Sequence, residues 1–338
     1  MKALLFEGDW QMPLREIDPP QPGPEEVVIA VKAAGICGSD VHGFTGFTGR
    51  RQPPLVMGHE FSGAITSVGA QVTRFQPGGR VVVQPLLTCG HCPNCRAGRP
   101  NICTNRTGIG MNVNGAYAEA VSVPQDLLFA LPAEMSWEQG ALVEPLAVGM
   151  RAVNQTPISL MDTLVIIGAG TIGLTTLLAA RLKGAGTIIM TDLSPHRLEM
   201  AKRLGADVTI NVGEEDPLEV VRAYTDGQGA AAVIEAVGVT ASVQQSVQLV
   251  RTGGHITWIG NSQPDVTVNM QQIVTRELTV RGTYGFNEEF GRAIAAIHSG
   301  RVDVLPLIEQ IAPLTDGTAL FHDLAKGALD AIKVILKP

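Results

Sequence analysis

The chain has 338 residues, 45% of them hydrophobic and 17% charged, a length that suits about two domains of ~150 residues, each with its own core. Its 25 basic and 32 acidic side chains leave a formal charge of −7 with no run of lysine and arginine, which argues against a nucleic-acid surface. Five cysteines are too few to frame a disulfide-rich secreted fold. Met1–Trp10 meets Glu7 and Asp9 before a signal-peptide core can form, and no apolar run reaches the ~18 residues of a membrane span. The expectation is a soluble, reduced, cytoplasmic protein with a small-molecule partner, neither nucleic acid nor membrane.

The first part of the chain reads as short strands punctuated by glycine and proline. Glu26–Val31, Ala64–Val68 and Arg80–Val83 are β-rich, flanked by Pro19–Pro24 and Pro77–Gly79, which predicts a mainly-β unit, a barrel. Ser136 then caps a long apolar-periodic helix running to Val153. Beyond it the pattern alternates. Thr163–Ile167, Thr187–Thr191, Val208–Asn211, Ala231–Glu235, His255–Ile259 and Leu278–Gly282 read as strands, while Ile172–Leu182, Pro195–Leu204, Pro217–Tyr224 and Thr240–Val250 read as helices. Strands alternating with ten-residue helices imply a parallel sheet covered on both faces. Phe290–Ser299 is a last clear helix, and the tail is expected to return to the first domain. The expected division is a β-rich domain over residues 1–150, an α/β domain over 151–285, and a returning segment over 286–338.

Four of the five cysteines, Cys89, Cys92, Cys95 and Cys103, fall within fifteen residues. Two-residue gaps let successive thiolates wrap one tetrahedral Zn²⁺, and four sulfurs leave no open position, so this lobe (residues 85–106) is expected to be structural. An iron–sulfur cluster or free thiols are the alternatives. His91 lies inside the knuckle but is not needed as a ligand.

The fifth cysteine, Cys37, stands in A-A-G-I-C-G-S-D-V-H, and His59 and Glu60 follow in G-H-E. A lone cysteine is commonly a small core residue. One thiolate, one imidazole and one carboxylate, however, make a zinc site with three protein ligands and room for water or substrate. Glu144, in A-L-V-E-P-L-A, is a further candidate, because a glutamate in an apolar helix is costly to bury without a partner or metal; otherwise it is an exposed helix position.

Gly168, Gly170 and Gly173 form G-x-G-x-x-G around Thr171 and Ile172, between a predicted strand and helix. The glycines allow the tight turn, close pyrophosphate approach and helix–strand packing, and the helix N-terminus favours the anion. Asp192, 24 positions after Gly168, is placed to accept hydrogen bonds from ribose hydroxyls and repel a 2′-phosphate, which favours NAD. His196 and Arg197 keep NADP open; Arg197 either stacks on adenine or is a solvated helix residue. Val237, Gly260 and Thr283, near strand ends, are candidates for the nicotinamide half, although core packing explains them equally well.

In this order the motifs resemble the zinc-dependent medium-chain alcohol dehydrogenase family over essentially the whole chain. The resemblance rests on Cys37, Gly58–Glu60, the four-cysteine lobe, Glu144–Pro145, and Gly168–Gly173 with Asp192. It implies a GroES-like catalytic domain with an inserted zinc lobe and a Rossmann domain. It implies Cys37, His59 and Glu60 as ligands of a catalytic zinc, Glu144 as alternate ligand or partner of its water, and Ser39 and His42 in hydroxyl binding and proton relay. A glutamate at 144 is similar to the sorbitol, polyol and threonine dehydrogenase branch. The cysteine arithmetic agrees, since only Cys37 remains outside the lobe. The implied reaction is NAD-linked interconversion of a secondary alcohol and a ketone by a dimer or tetramer paired through the Rossmann sheet edge, between Val266 and Arg281. Oxidation of a 3-hydroxy amino acid, as by threonine 3-dehydrogenases, and a zinc-free NADPH quinone or enoyl reductase are the competing readings. Two features depart from sorbitol dehydrogenases: a tyrosine after C-G-S-D-V-H is replaced by Gly43–Phe44, and a polar pair by Gly285–Phe286.

Overall fold

The structure, a computed structural model, describes residues 1–338. The chain divides into two compact units, Met1–Glu144 with Phe290–Pro338, and Pro145–Glu289. No helix is long and apolar enough to cross a membrane.

The first unit is built on a seven-stranded sheet. Its path runs Leu128–Ala130, Arg80–Val83, Glu60–Val68, Glu26–Gly35, Lys333–Lys337 and Ile308–Pro313, and Ala120–Pro124 also pairs with Glu26–Gly35. The C-terminal strand thus joins the N-terminal sheet, with Ile335 opposite Gly35. Val27, Ile29, Phe61, Val81, Val83, Val121 and Leu336 fill its core, each such side chain contributing about 1.5–3 kcal/mol of burial. Two strands are longer than their apolar patterns predict, extending to Gly35 and back to Glu60. Gly35 and Glu60 are register partners, so the extra residues bring together Cys37 just past one strand and His59–Glu60 at the start of the other.

The helix expected from Ser136 to Val153 is two helices, Trp137–Ala141 and Val143–Gln155, separated at Leu142. Ser136 and Gln139 form the expected capping box. The break has a local cause: Pro145, third in the second helix, has no N–H to offer the Ala141 carbonyl, and Leu142 donates to the carbonyls of both Glu138 and Gln139, so the first helix closes with a tightened turn. Glu144 consequently sits in the first turn of a new helix.

In the second unit six parallel strands lie in the order Val208–Asn211, Ile188–Asp192, Leu164–Ile167, Ala230–Glu235, Val250–Trp258, Thr279–Gly282. The inner strands, such as L-V-I-I at 164–167, are buried on both faces, as a helix-covered parallel sheet requires. Helix starts are well specified: Ser194 and Asp216 cap helices whose first position is proline. The strand order reverses between Leu164–Ile167 and its neighbour Ala230–Glu235, the position where such sheets bind ligands at their carboxyl ends.

Candidate active site and metal centres

In the lobe, Cys92 caps the short helix Pro93–Arg96. The sulfurs of Cys89, Cys92, Cys95 and Cys103 lie within 4.8 Å of one another, with Cys92–Cys103 at 3.9 Å and Cys89–Cys103 at 3.5 Å. Zinc–sulfur bonds of ~2.3 Å in a tetrahedron place sulfurs about 3.8 Å apart, so the four fit one ion. Backbone N–H groups of Cys92, Cys95 and Asn105 point at Cys89, Cys92 and Cys103 sulfurs. The amides of Cys95 and Thr104 draw the Cys92 thiol down to about 5. Burial and the neighbouring thiols push Cys95 up to about 12. Four thiolates are therefore incompatible here without a cation. The exposed His91 ring faces the Cys89 carbonyl, at 2.6 Å.

The second cluster joins Cys37, His59 and Glu60, whose ligand atoms also lie within 4.8 Å of one another. Gly58 must be glycine: its φ is +98°, and a Cβ there would come within 2.7 Å of the Tyr117 ring. That turn sends His59 and Glu60 into the protein, 5% and 1% exposed.

Four residues that sequence reasoning gave no role, Asp40, Arg51, Tyr117 and Lys333, organise this cluster. Asp40, fully buried, has Oδ2 3.1 Å from His59 Nδ1 and 2.8 Å from the Tyr117 hydroxyl, while Oδ1 accepts from Arg51 at 2.9 Å. Facing Nδ1 with a carboxylate leaves Nε2 as the ligand nitrogen. Burial disfavours the Asp40 charge, but His59 and Arg51 hold the carboxyl well below its ordinary range. Burial likewise opposes a charged His59, yet Asp40 and Cys37 carry it well above its ordinary value, so metal binding must displace a proton. Lys333, 1% exposed, donates to Glu60 Oε2 at 2.6 Å and to the Ile36 carbonyl at 3.0 Å. Burial opposes its charge, and Glu60 more than restores it. Glu60 Oε1, by contrast, is buried with no partner. An anionic oxygen left so is costly unless a cation faces it, and this, with the clustered donors, is how the residues fit zinc.

Ser39 Oγ donates to Cys37 Sγ at 3.3 Å. His42 lies one turn further along the helix Gly38–Phe44, and burial lowers its pKa. Glu144 is 8% exposed, not an exposed helix position. Burial, with Glu60 adding and His59 opposing, pushes it up to about 7.

In the second unit Gly168 has φ +96° and leads into the helix Thr171–Lys183, capped by Gly170. A Cβ on Gly173 would lie 1.8 Å from the Gly168 carbonyl, so the helix packs on the turn only because residue 173 is glycine. Thr171 and Ile172 are its first two helical residues. Asp192 ends its strand and accepts from Ala169 N–H at 2.6 Å and Ser194 N–H at 2.9 Å. Arg197 reaches toward Gly170, its Nη1 3.7 Å from where a Cβ would stand. Val237 packs on Gly168, and Gly260 packs on Val237 and Gly238. Thr283 follows the edge strand, bonds through its N–H to Trp258 and buries an unpartnered hydroxyl. Sequence reasoning missed Glu235, fully buried at a strand end, whose Oε1 accepts from Val237 and Gly238 N–H. A glutamate closing an apolar strand was the available signal.

Comparison with known proteins agrees with this anatomy. Residues 23–133 match the alcohol dehydrogenase GroES-like domain, and residues 171–299 match the zinc-binding dehydrogenase domain. The sorbitol dehydrogenase of Bacillus subtilis is 36% identical, covering 100% of this chain and 97% of its own. A zinc-binding dehydrogenase of Sinorhizobium meliloti, solved with NADP, superposes with a TM-score of 0.94 at 32% identity over 100% of this chain and 99% of its own. The 2R,3R-butanediol dehydrogenase of Bacillus subtilis gives 0.90 at 31% identity over 100% and 99%. With its GroES-like unit and Rossmann unit, this chain belongs to the zinc-binding alcohol dehydrogenase family.

Proposed function

We propose that the chain is a zinc- and NAD-dependent dehydrogenase interconverting the secondary alcohol of a polyol, sugar alcohol or vicinal diol with the corresponding ketone. The observation that carries this reading is the convergence of Cys37, His59 and Glu60 around a buried, unpartnered carboxylate oxygen. Those three residues would hold the catalytic zinc, with Glu144 as alternate ligand or water partner. Cys89, Cys92, Cys95 and Cys103 would hold a second, structural ion. Zinc bound at the first site supplies Lewis acidity toward the substrate hydroxyl. Asp40 keeps the His59 ring oriented, and Lys333 fixes one oxygen of Glu60. Ser39 and His42 take the proton leaving the alcohol. Glu144, poised at about 7, can hold a proton near working pH.

The dinucleotide would lie on Gly168–Gly173, with Thr171 and Ile172 opening the helix beneath its pyrophosphate, Asp192 on the adenosine ribose and Arg197 beside the adenine. Val237, Gly260 and Thr283 would line the nicotinamide half. NAD is favoured over NADP because the Asp192 carboxylate repels a 2′-phosphate. In residue terms, the catalytic domain would be 1–150 and 286–338, with the lobe at 85–106, and the cofactor domain 151–285. Two copies would pair along the edge strand Thr279–Gly282, which is largely exposed beside exposed Met270 and Val274. A reducing cytoplasm suits a protein that needs five free thiols.

The test is a panel of sorbitol, xylitol, meso-2,3-butanediol and L-threonine with NAD and zinc present. NADH formation with a polyol or diol, and a ketone product, is the expected result. Turnover of threonine alone would refute the substrate class.

A further inference from the structure

Gly43 lies inside the helix Gly38–Phe44 with no left-handed backbone to require glycine, and glycine there costs about 0.5–1 kcal/mol relative to alanine. What excludes a side chain is Arg51: a Cβ on Gly43 would come within 2.4 Å of Arg51 Cγ. That atom belongs to the stem of the arginine, not to its mobile end. The stem is threaded through the space a residue-43 side chain would take. Its guanidinium, on a side chain 7% exposed, reaches Asp40 Oδ1 at 2.9 Å and Ser39 Oγ at 3.5 Å. One cation therefore touches both the carboxylate behind His59 and the hydroxyl on Cys37. We propose that Arg51 is a positioning residue for the catalytic zinc site, acting through Asp40 on His59 and through Ser39 on Cys37, and that Gly43 is its obligatory companion.

This inference rests on the zinc assignment above. Both contacts come from one guanidinium nitrogen, Nη2, so a lysine ammonium, with three donors on a shorter stem, can replace them in part.

The experiment compares zinc-loaded wild type, R51M, R51K, G43A and the G43A/R51M double variant. Dipicolinate strips zinc, and release is followed with a metal-binding dye, the four-cysteine ion serving as internal reference. Groups supporting metal ligands typically carry 10–100-fold in metal affinity or activity. R51M and G43A should each speed release of the first zinc by about 10-fold without altering the second. R51K should lose less than R51M. The double variant should match R51M, because G43A acts only by displacing the arginine. G43A and R51K keep the cation, so they test the inference even where R51M folds poorly. Release at the wild-type rate from R51M or G43A, or effects of the two that multiply, would overturn it while leaving the proposed function intact. A wild type that binds only the four-cysteine zinc would overturn both.

Discussion

The Lys333–Glu60 pair can be broken by Lys333→Met, which keeps the length and removes the charge. Both side chains are 1% exposed and 2.6 Å apart, so solvent cannot replace the lost partner. Removing one member of a buried ion pair typically costs about 3–5 kcal/mol, chiefly from the charge left behind. For a domain of 150–250 residues each kcal/mol is worth about 2–4 °C, so the metal-free variant should melt roughly 6–20 °C below metal-free wild type. Adding zinc should narrow the gap, because Glu60 Oε1 then faces a cation. Adding Glu60→Gln should narrow it too, because no charge remains to be compensated. Scanning calorimetry of the three proteins, with chelator and with zinc, measures all of this. A metal-free Lys333→Met variant losing under about 1 kcal/mol, or a double variant no more stable than the single one, would refute the reasoning.

Cys37→Ser should leave the fold and the lobe intact while reducing bound zinc from two ions to one and abolishing turnover; elemental analysis with steady-state kinetics checks it. Asp192→Ala should lower the NAD:NADP ratio of kcat/KM by about 10–100-fold, the worth of a hydrogen bond to a charged group. Glu289 illustrates pH dependence within the second unit. Burial would raise its pKa, but Asn154, the Asn287 N–H and Arg151 hold it below the ordinary value. A depressed folded pKa stabilises above the unfolded value and loses that contribution as pH falls through the folded one. The stability deficit of Glu289→Gln should accordingly be full above the ordinary carboxylate range and shrink as pH falls below it, as urea titrations on both sides of that range will show.

Legibility in the sequence followed how local the physics is. The lobe cysteines, the glycine turn and Asp192 are spaced along a single turn or βαβ unit, so spacing alone exposes them. Cys37 and His59–Glu60 come from separated segments, yet each sits in a recognisable glycine-rich stretch. Lys333 was not legible, because its partner Glu60 lies 273 positions away and a lysine in K-V-I-L-K reads as a strand edge. Arg51 and Tyr117 were hidden for the same reason, their common partner Asp40 being brought to them by the fold. The break at Leu142 escaped because apolar periodicity persists across it, although Pro145, with no N–H for the Ala141 carbonyl, was an available signal.

The most direct test of the central claim joins metal content to turnover in one preparation. The account predicts two zinc ions per chain and NAD-dependent oxidation of a polyol or diol. Activity should disappear when the more labile ion is removed and return when zinc is restored. A chain that turns over substrate fully with no zinc, or that reduces a quinone or enoyl substrate with NADPH instead, would contradict it.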